Sequence, residues 1–314
     1  MSDMRIVFMG TPYFAVPSLQ ALINSKYKVV GVVTAPDRPA GRGQKLKMSD
    51  VKIEALKHDI PILQPTNLKS DEFLEELKIL EANLFIVVAF RMLPKSIWQI
   101  PKYGTFNLHA SLLPNYRGAA PINWAIINGE TKTGVSTFFI DEKIDTGAVI
   151  FQEEVAIQSN ETVGTLHDTL MTLGSGLILK TVTAISKGNI KTKNQPLANL
   201  KRAPKLNPQI CKINWDEDIT SIYNKIRGLN PYPTAWCFLL RNEQQLKLKI
   251  YDVTLEIAEH SLTFGSIIRT KKSFQVACKG GFLIIDTLQL AGKKRMSAQN
   301  FLNGIKLDEK AKLL

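Results

Sequence analysis

An asparagine and a histidine two residues apart, Asn107 and His109, close the apolar run at residues 105–109. Side chains alternate along a strand, so these two share one face, while Phe106 and Leu108 take the other. If the run belongs to an open α/β sheet, that face ends at the carboxyl edge, where such sheets bind ligands. A carboxamide beside an imidazole is a candidate acid–base and hydrogen-bond donor pair. The spacing also fits a strand-end histidine satisfied by a backbone carbonyl. A second polar cluster, residues 141–147, follows in a turn (Asp-Glu-Lys-Ile-Asp-Thr-Gly). It is either a solvated hairpin connection or, if Asp145 reaches His109, the carboxylate that orients the imidazole.

Two further features concern anions. Residues 36–47 (Pro-Asp-Arg-Pro-Ala-Gly-Arg-Gly-Gln-Lys-Leu-Lys) read as a long irregular loop carrying Arg38, Arg42, Lys45 and Lys47. Such a loop is either solvated surface or a grip on phosphate. Lys293, Lys294 and Arg295 form a second basic cluster inside a β-rich region. Other chemistries are disfavoured. The first strand-to-helix turn has one glycine, Gly10, where a dinucleotide site needs G-x-G-x-x-G, and there is no P-loop. Four histidines without ligand spacing and three widely separated cysteines (Cys211, Cys237, Cys278) suit neither a metal site nor a disulfide framework. No metal is expected, and the thiols point to the cytoplasm. No targeting segment is read at the start, and no apolar run approaches 18 residues, so no membrane partner is expected.

The elements that must position these groups alternate in the manner of a helix-covered parallel sheet. Strands are expected at 5–9, 29–34, 84–89 and 105–109, and helices at 16–24, 51–58, 71–80 and 119–128. Two adjacent strands at 134–140 and 148–157 and a long helix at about 162–186 complete this part. Residues 190–208 are polar, basic and broken by proline, the composition of a linker. A helix at 219–227 and five short strands (234–240, 246–255, 266–269, 274–278, 282–288) then suit a small OB-like barrel. The expected fold is therefore α/β, Rossmann-like, followed by a small β-barrel domain, with boundaries at 1–189, 190–208 and 209–314. Tyr232 and Trp236, in the helix-to-strand connection, are assigned to core or interface.

The charge divides along the same line. The 314 residues contain 40 Lys+Arg and 28 Asp+Glu, a formal charge of +12. Residues 201–314 hold 19 basic and 10 acidic side chains, leaving 21 and 18 for residues 1–200. A basic last third implies a polyanionic partner, and the near-neutral remainder resembles an ordinary soluble enzyme.

These residues together resemble the methionyl-tRNA formyltransferase family along essentially the whole chain. The resemblance rests on Gly10-Thr11-Pro12-x-Phe14, on the loop at 36–43, and on Asn107-x-His109-x-Ser111-Leu112-Leu113-Pro114 followed by Tyr116-Arg117-Gly118-Ala119-Ala120-Pro121. Ile144-Asp145-Thr146-Gly147, Asn230-Pro231-x-Pro233 and Ala291-Gly292-Lys293-Lys294-x-Met296 continue it. It implies formyl transfer from 10-formyltetrahydrofolate, a co-substrate, to the α-amine of methionine on initiator tRNA. Asn107 would donate to the oxyanion and His109 would donate to it or shuttle the proton. Asp145 would orient His109 and take up the amine proton, with no covalent enzyme intermediate. Phe90, Arg91, Met92 and Leu93, with Ser111, Leu112, Leu113 and Pro114, would cradle the folate. The 89–94 loop departs from the family's commoner Ala-Tyr-Gly-x-x-Leu-Pro, being one residue shorter with Arg91 in place of glycine. Transfer RNA would meet Arg38, Arg42, Lys45 and Lys47 of the loop and Lys205, Lys293, Lys294 and Arg295 beyond it. A monomer is expected. The alternative is another folate-dependent N-formyltransferase, acting on a sugar nucleotide or glycinamide ribonucleotide.

Overall fold

The computed structural model describes residues 4–40, 45–196, 200–270 and 273–314. In chain order, the first half holds β1 (Arg5–Gly10), α1 (Val16–Ile23), β2 (Lys28–Val33), β3 (Arg38–Ala40), β4 (Lys45–Lys47), α2 (Asp50–Leu56), β5 (Ile62–Leu63), α3 (Asp71–Ile79), β6 (Leu84–Val88), α4 (Lys95–Trp98), β7 (Thr105–His109), β8 (Arg117–Gly118), α5 (Pro121–Ile127), β9 (Lys132–Phe139) and β10 (Val149–Ala156). There follow α6 (Val163–Ser186), β11 (Arg202–Ala203), α7 (Ile219–Leu229), β12 (Ala235–Arg241), β13 (Gln244–Ile257), β14 (Ile267–Arg269), β15 (Phe274–Cys278), β16 (Gly281–Leu290), β17 (Met296–Ser297), α8 (Ala298–Gly304) and β18 (Lys312–Leu313).

The chain separates into two compact units. The first comprises Met1–Gly118, Thr133–Val155 and His167–Arg202. Its sheet runs β10-β9-β7-β6-β1-β2-β5. The contiguous set from β5 to β7 is parallel, and β9 pairs antiparallel with β7. Burial explains the sequence pattern. Every residue of β6 (Leu-Phe-Ile-Val-Val) is buried, because helices cover both sheet faces and leave no polar side to the strand. On one face Val7, Met9, Val33, Phe85 and Val87 pack with Phe73 and Leu77 of α3 and Ile97 of α4. Thr137 of β9 hydrogen-bonds Thr181 of α6 at 2.9 Å. By length and composition α6 could cross a membrane. Here Leu170, Leu177, Ile178, Val182 and Ile185 are buried, so its apolar character belongs to a covering helix.

The second unit comprises Ala119–Lys132, Ala156–Leu166 and Ala203–Leu314. Helix α5 groups here, although its place in the sequence lies among the sheet elements. The Asn123 amide donates to the Gly228 carbonyl of α7 at 2.8 Å. The six-stranded path β14-β15-β16-β13-β12-β18 is drawn toward closure where Ser266 bridges Lys312 and the Leu313 amide donates to the Gly265 carbonyl at 2.9 Å. Trp215, Ile222, Ile226, Leu239, Leu248, Ile250 and Phe274 fill its interior. Phe301 of α8 stacks on Phe274, centroids 5.7 Å apart.

Most strands and helices fall within one or two residues of their expected limits, and β7 and β15 coincide with theirs. The expected loop at 36–47 contains a hairpin, β3 paired with β4. Elements β5, β17 and β18 have two residues each, too few to show a period. Residue Tyr232, assigned to core or interface, is 82% exposed and so lies outside the core.

Candidate active site

The sheet carries Asn107 and His109 to the carboxyl end of β7. Antiparallel pairing sets Asn107 opposite Phe138 and His109 opposite Ser136, while parallel pairing sets Asn107 beside Val87. Leu108 faces the other way, toward α6, where a Cβ on Gly174 would lie 2.6 Å from its Cδ2. The Asn107 side chain is half-buried and makes no hydrogen bond among the described residues, so its amide is available to a ligand.

His109 is buried, and its Nε2–H donates to the Tyr116 carbonyl at 2.8 Å. A carbonyl only accepts, which assigns the Nε2 proton and leaves Nδ1 with a lone pair in the neutral ring. Nδ1 stands 3.8 Å from Asp145 Oδ2. That separation is too long for a direct hydrogen bond. The ring is therefore aligned by the Tyr116 carbonyl, with Asp145 beside its free nitrogen.

Asp145 is held by β8 and by its own loop. Its Oδ2 accepts from the Gly118 amide at 2.9 Å. Asp141 Oδ1 accepts from the Lys143 amide at 3.0 Å and from the Thr146 hydroxyl at 2.7 Å, which closes the turn. Asp145 has φ +56°, and Tyr116 and Ala89 are also left-handed at +61° and +47°. Side-chain-bearing residues in that region cost of order 1 kcal/mol each, a backbone expense that clusters at functional sites. Gly147 is required by space, because a Cβ would lie 1.7 Å from the Phe139 carbonyl oxygen.

Gln195, within the stretch whose composition suggests a linker, fastens this loop. Its amide donates to the carbonyls of Asp145 at 3.0 Å and Gly147 at 2.7 Å. Its oxygen accepts from Arg117 Nε at 3.1 Å and NH2 at 2.7 Å. Burial pulls the Arg117 guanidinium below its usual pKa against the opposing pull of Asp145 and Asp141. Composition hides this role, since an isolated glutamine among lysines has no spacing signal. The same stretch is tied again where Lys193 and Val149 exchange backbone hydrogen bonds.

The residues expected to cradle folate divide into committed and free groups. Ser111 is buried, and its hydroxyl donates to the Asn115 carbonyl at 2.7 Å. Leu113 is buried with Phe138 and Val149, its amide donates to Ser136 Oγ, and its carbonyl accepts from Gln152. Both therefore shape the loop through groups already bonded. Leu112 and Pro114 are half-buried. Leu93 belongs to the core, Phe90 packs against it, and Met92 is 66% exposed. Arg91 lies over the Phe90 ring at 5.5 Å and donates to the Thr66 carbonyl at 3.1 Å and to the Pro65 carbonyl. Burial and the nearby charge of Arg38 lower its pKa.

The cations expected to meet RNA are placed unevenly. Arg38 and Lys47 are exposed and directly opposite each other on the hairpin. Like charges directly opposite each other destabilise a hairpin. At the hairpin's base, Lys52 donates to Asp37 at 2.6 Å and Gln64 donates to it at 2.8 Å, and these bonds hold the carboxyl below its ordinary pKa. Lys45 lies in β4, and Arg42 falls outside the described residues. In the second unit, Lys205, Lys293 and Lys294 are exposed. Arg295 donates to Asp252 at 2.5 Å and lies 4.2 Å over Tyr251.

The model of the formyl transferase family matches residues 4–182, and that of the formyl transferase C-terminal domain matches 205–306. A methionyl-tRNA formyltransferase of Flavobacterium johnsoniae is 57% identical over 314 residues, covering 100% of both chains. Among solved structures, the sugar 3N-formyl transferase WlaRD, crystallised with dTDP and 5-N-formyl-THF, superposes with a TM-score of 0.65 at 23% identity. It covers 94% of this chain and 100% of its own. Methionyl-tRNA formyltransferase from Clostridium thermocellum superposes at 0.54 with 17% identity over 81% and 94% of the two chains. The two solved structures share the fold; the full-length identity to the Flavobacterium chain goes further, and by it the present chain belongs to the methionyl-tRNA formyltransferase family.

Proposed function

We propose that this protein transfers the formyl group of 10-formyltetrahydrofolate to the α-amine of methionyl initiator tRNA. The observation that carries the reading is the 57% identity, end to end, with a chain bearing that activity in its name. The gathering of Asn107, His109 and Asp145 at one strand end supplies a mechanism. The amine attacks the formyl carbon, and charge moves onto the formyl oxygen, to which the unoccupied Asn107 amide donates. The amine's proton passes to His109 Nδ1, where Asp145 stabilises the resulting positive ring, and then to the departing folate nitrogen. An α-amine has a pKa near 8, so about a tenth is already neutral at pH 7 and little base strength is needed.

The folate reading is supported by the half-buried Leu112 and Pro114 and the Phe90–Met92 segment, which border the same strand ends. The RNA reading is supported by the paired Arg38 and Lys47 and the exposed Lys205, Lys293 and Lys294. Such phosphate contacts give affinity and strong salt dependence. Arg42 and Lys45 extend the same basic segment. A cytoplasmic location fits three buried cysteines that remain free thiols. Incubating the protein with radiolabelled formyl donor and charged initiator tRNA should label the tRNA. Labelling only a sugar nucleotide or glycinamide ribonucleotide, offered in parallel, would replace this reading with its alternative.

A further inference from the structure

Tyr232 has the highest exposure of the large hydrophobic side chains among the described residues, at 82%, and its hydroxyl makes no hydrogen bond among them. Its loop is nonetheless firmly held. Pro231 and Pro233 each fix their own φ. The Thr234 amide donates to the Leu229 carbonyl at 2.9 Å, its hydroxyl to the Pro231 carbonyl at 2.8 Å, and the Gly164 amide to the Asn230 carbonyl at 3.1 Å. The buried Asn230 donates its side-chain amide to Asp252 Oδ1 at 2.8 Å. The other oxygen of Asp252 accepts from Arg295 at 2.5 Å. One chain of contacts thus joins the tyrosine loop to the turn that carries the exposed Lys293 and Lys294. Within it Arg295 pairs with Asp252, and among the described residues neither lysine is in an ion pair.

We propose that Tyr232 is a stacking platform for an unpaired nucleobase of the RNA substrate, with Lys293 and Lys294 taking phosphates of the same strand. The proposal rests on the reading of the substrate as a tRNA. Proteins take unpaired bases by stacking them on aromatic rings next to cationic side chains, and each such stack contributes substantially to affinity. A ring on a loop fixed by two prolines and three hydrogen bonds loses little freedom when a base settles on it.

The test uses the full chain, with Tyr232→Ala, Tyr232→Phe, Tyr232→Trp and Lys293→Ala, measuring binding to initiator tRNA across a salt series together with formylation kinetics. Tyr232→Ala should weaken RNA binding roughly ten- to a hundredfold. Its salt slope should stay parallel to wild type and its KM for the formyl donor should hold, while Phe and Trp restore binding. Lys293→Ala should instead flatten the salt dependence by about one unit of slope. The proposal is overturned if Tyr232→Ala binds within twofold of wild type, if Phe is as weak as Ala, or if the loss comes with a lower melting temperature. A wild type that formylates no charged tRNA would sink the substrate reading by itself, and the binding series would still decide the stacking.

Discussion

Replacing Gln195 tests whether the fastening of the Asp145 loop matters to the reaction. Gln195→Met keeps the side chain's length and removes two donations, to the carbonyls of Asp145 and Gly147, and two acceptances from the Arg117 guanidinium. A neutral hydrogen bond contributes about 1 kcal/mol net and one to a charged group about 1.5–3. The site is half-buried and water can replace part of this, so about 2 kcal/mol of loop stabilisation is lost. The left-handed backbone of Asp145, at φ +56°, costs about 1 kcal/mol in wild type and variant alike and so leaves the difference unchanged. The balance between fastened and released loop shifts by about 2 kcal/mol, or roughly thirtyfold at 1.4 kcal/mol per decade. Formylation kinetics with saturating donor and tRNA should show kcat lower by about 10- to 30-fold. The melting temperature should move only a few degrees, because the bonds tie a loop and leave the sheet's packing intact. Gln195→Glu should be worse than methionine, since it sets a carboxylate against two carbonyl oxygens. A methionine variant with kcat within twofold of wild type would refute the reasoning: the loop would then hold Asp145 without its fastening.

Three further outcomes are expected. Asn107→Ala should lower kcat by about a hundred- to a thousandfold with an unchanged melting temperature, since the amide supports nothing in the fold; a loss below tenfold would remove it from the oxyanion role. Glu54, buried in α2, accepts from Lys57 at 2.7 Å and Gln20 at 3.0 Å, bonds that lower its pKa. Its contribution is then present above the unfolded value near 4.3 and is lost as pH falls through the lower folded value, so urea midpoints of wild type and Glu54→Gln should differ at pH 7 and converge near pH 3. Burial pushes the Cys278 thiol up to about 12 and Cys237 upward as well, so at pH 8 thiol reagents should label neither until the second unit unfolds; rapid labelling of the native protein would contradict that.

Much of the arrangement was legible in the residues because it follows short-range rules. The all-apolar run of β6 requires cover on both faces, and period-two alternation through β7 sets Asn107 and His109 on one side whatever surrounds them. The paired strands β9 and β10 and the barrel strands were visible for the same reason. The hairpin inside the basic loop was not, because three-residue strands carry too little period to distinguish them from irregular chain. That Tyr232 stands outside the core was not legible either, because an aromatic residue's usual burial says nothing about the position of its own loop.

The sequence by itself determined the kind of protein: a helix-covered sheet with Asn107 and His109 at one strand end, a basic barrel after it, and a family resemblance that the full-length comparison supports. Only the tertiary structure decided how the site is held. The Tyr116 carbonyl aligns His109, Asp145 stands 3.8 Å from its free nitrogen, and Gln195, 50 residues further on, fastens the loop between. These contacts join residues far apart in the chain, and such distances depend on how the sheet and its loops pack, which no local periodicity encodes.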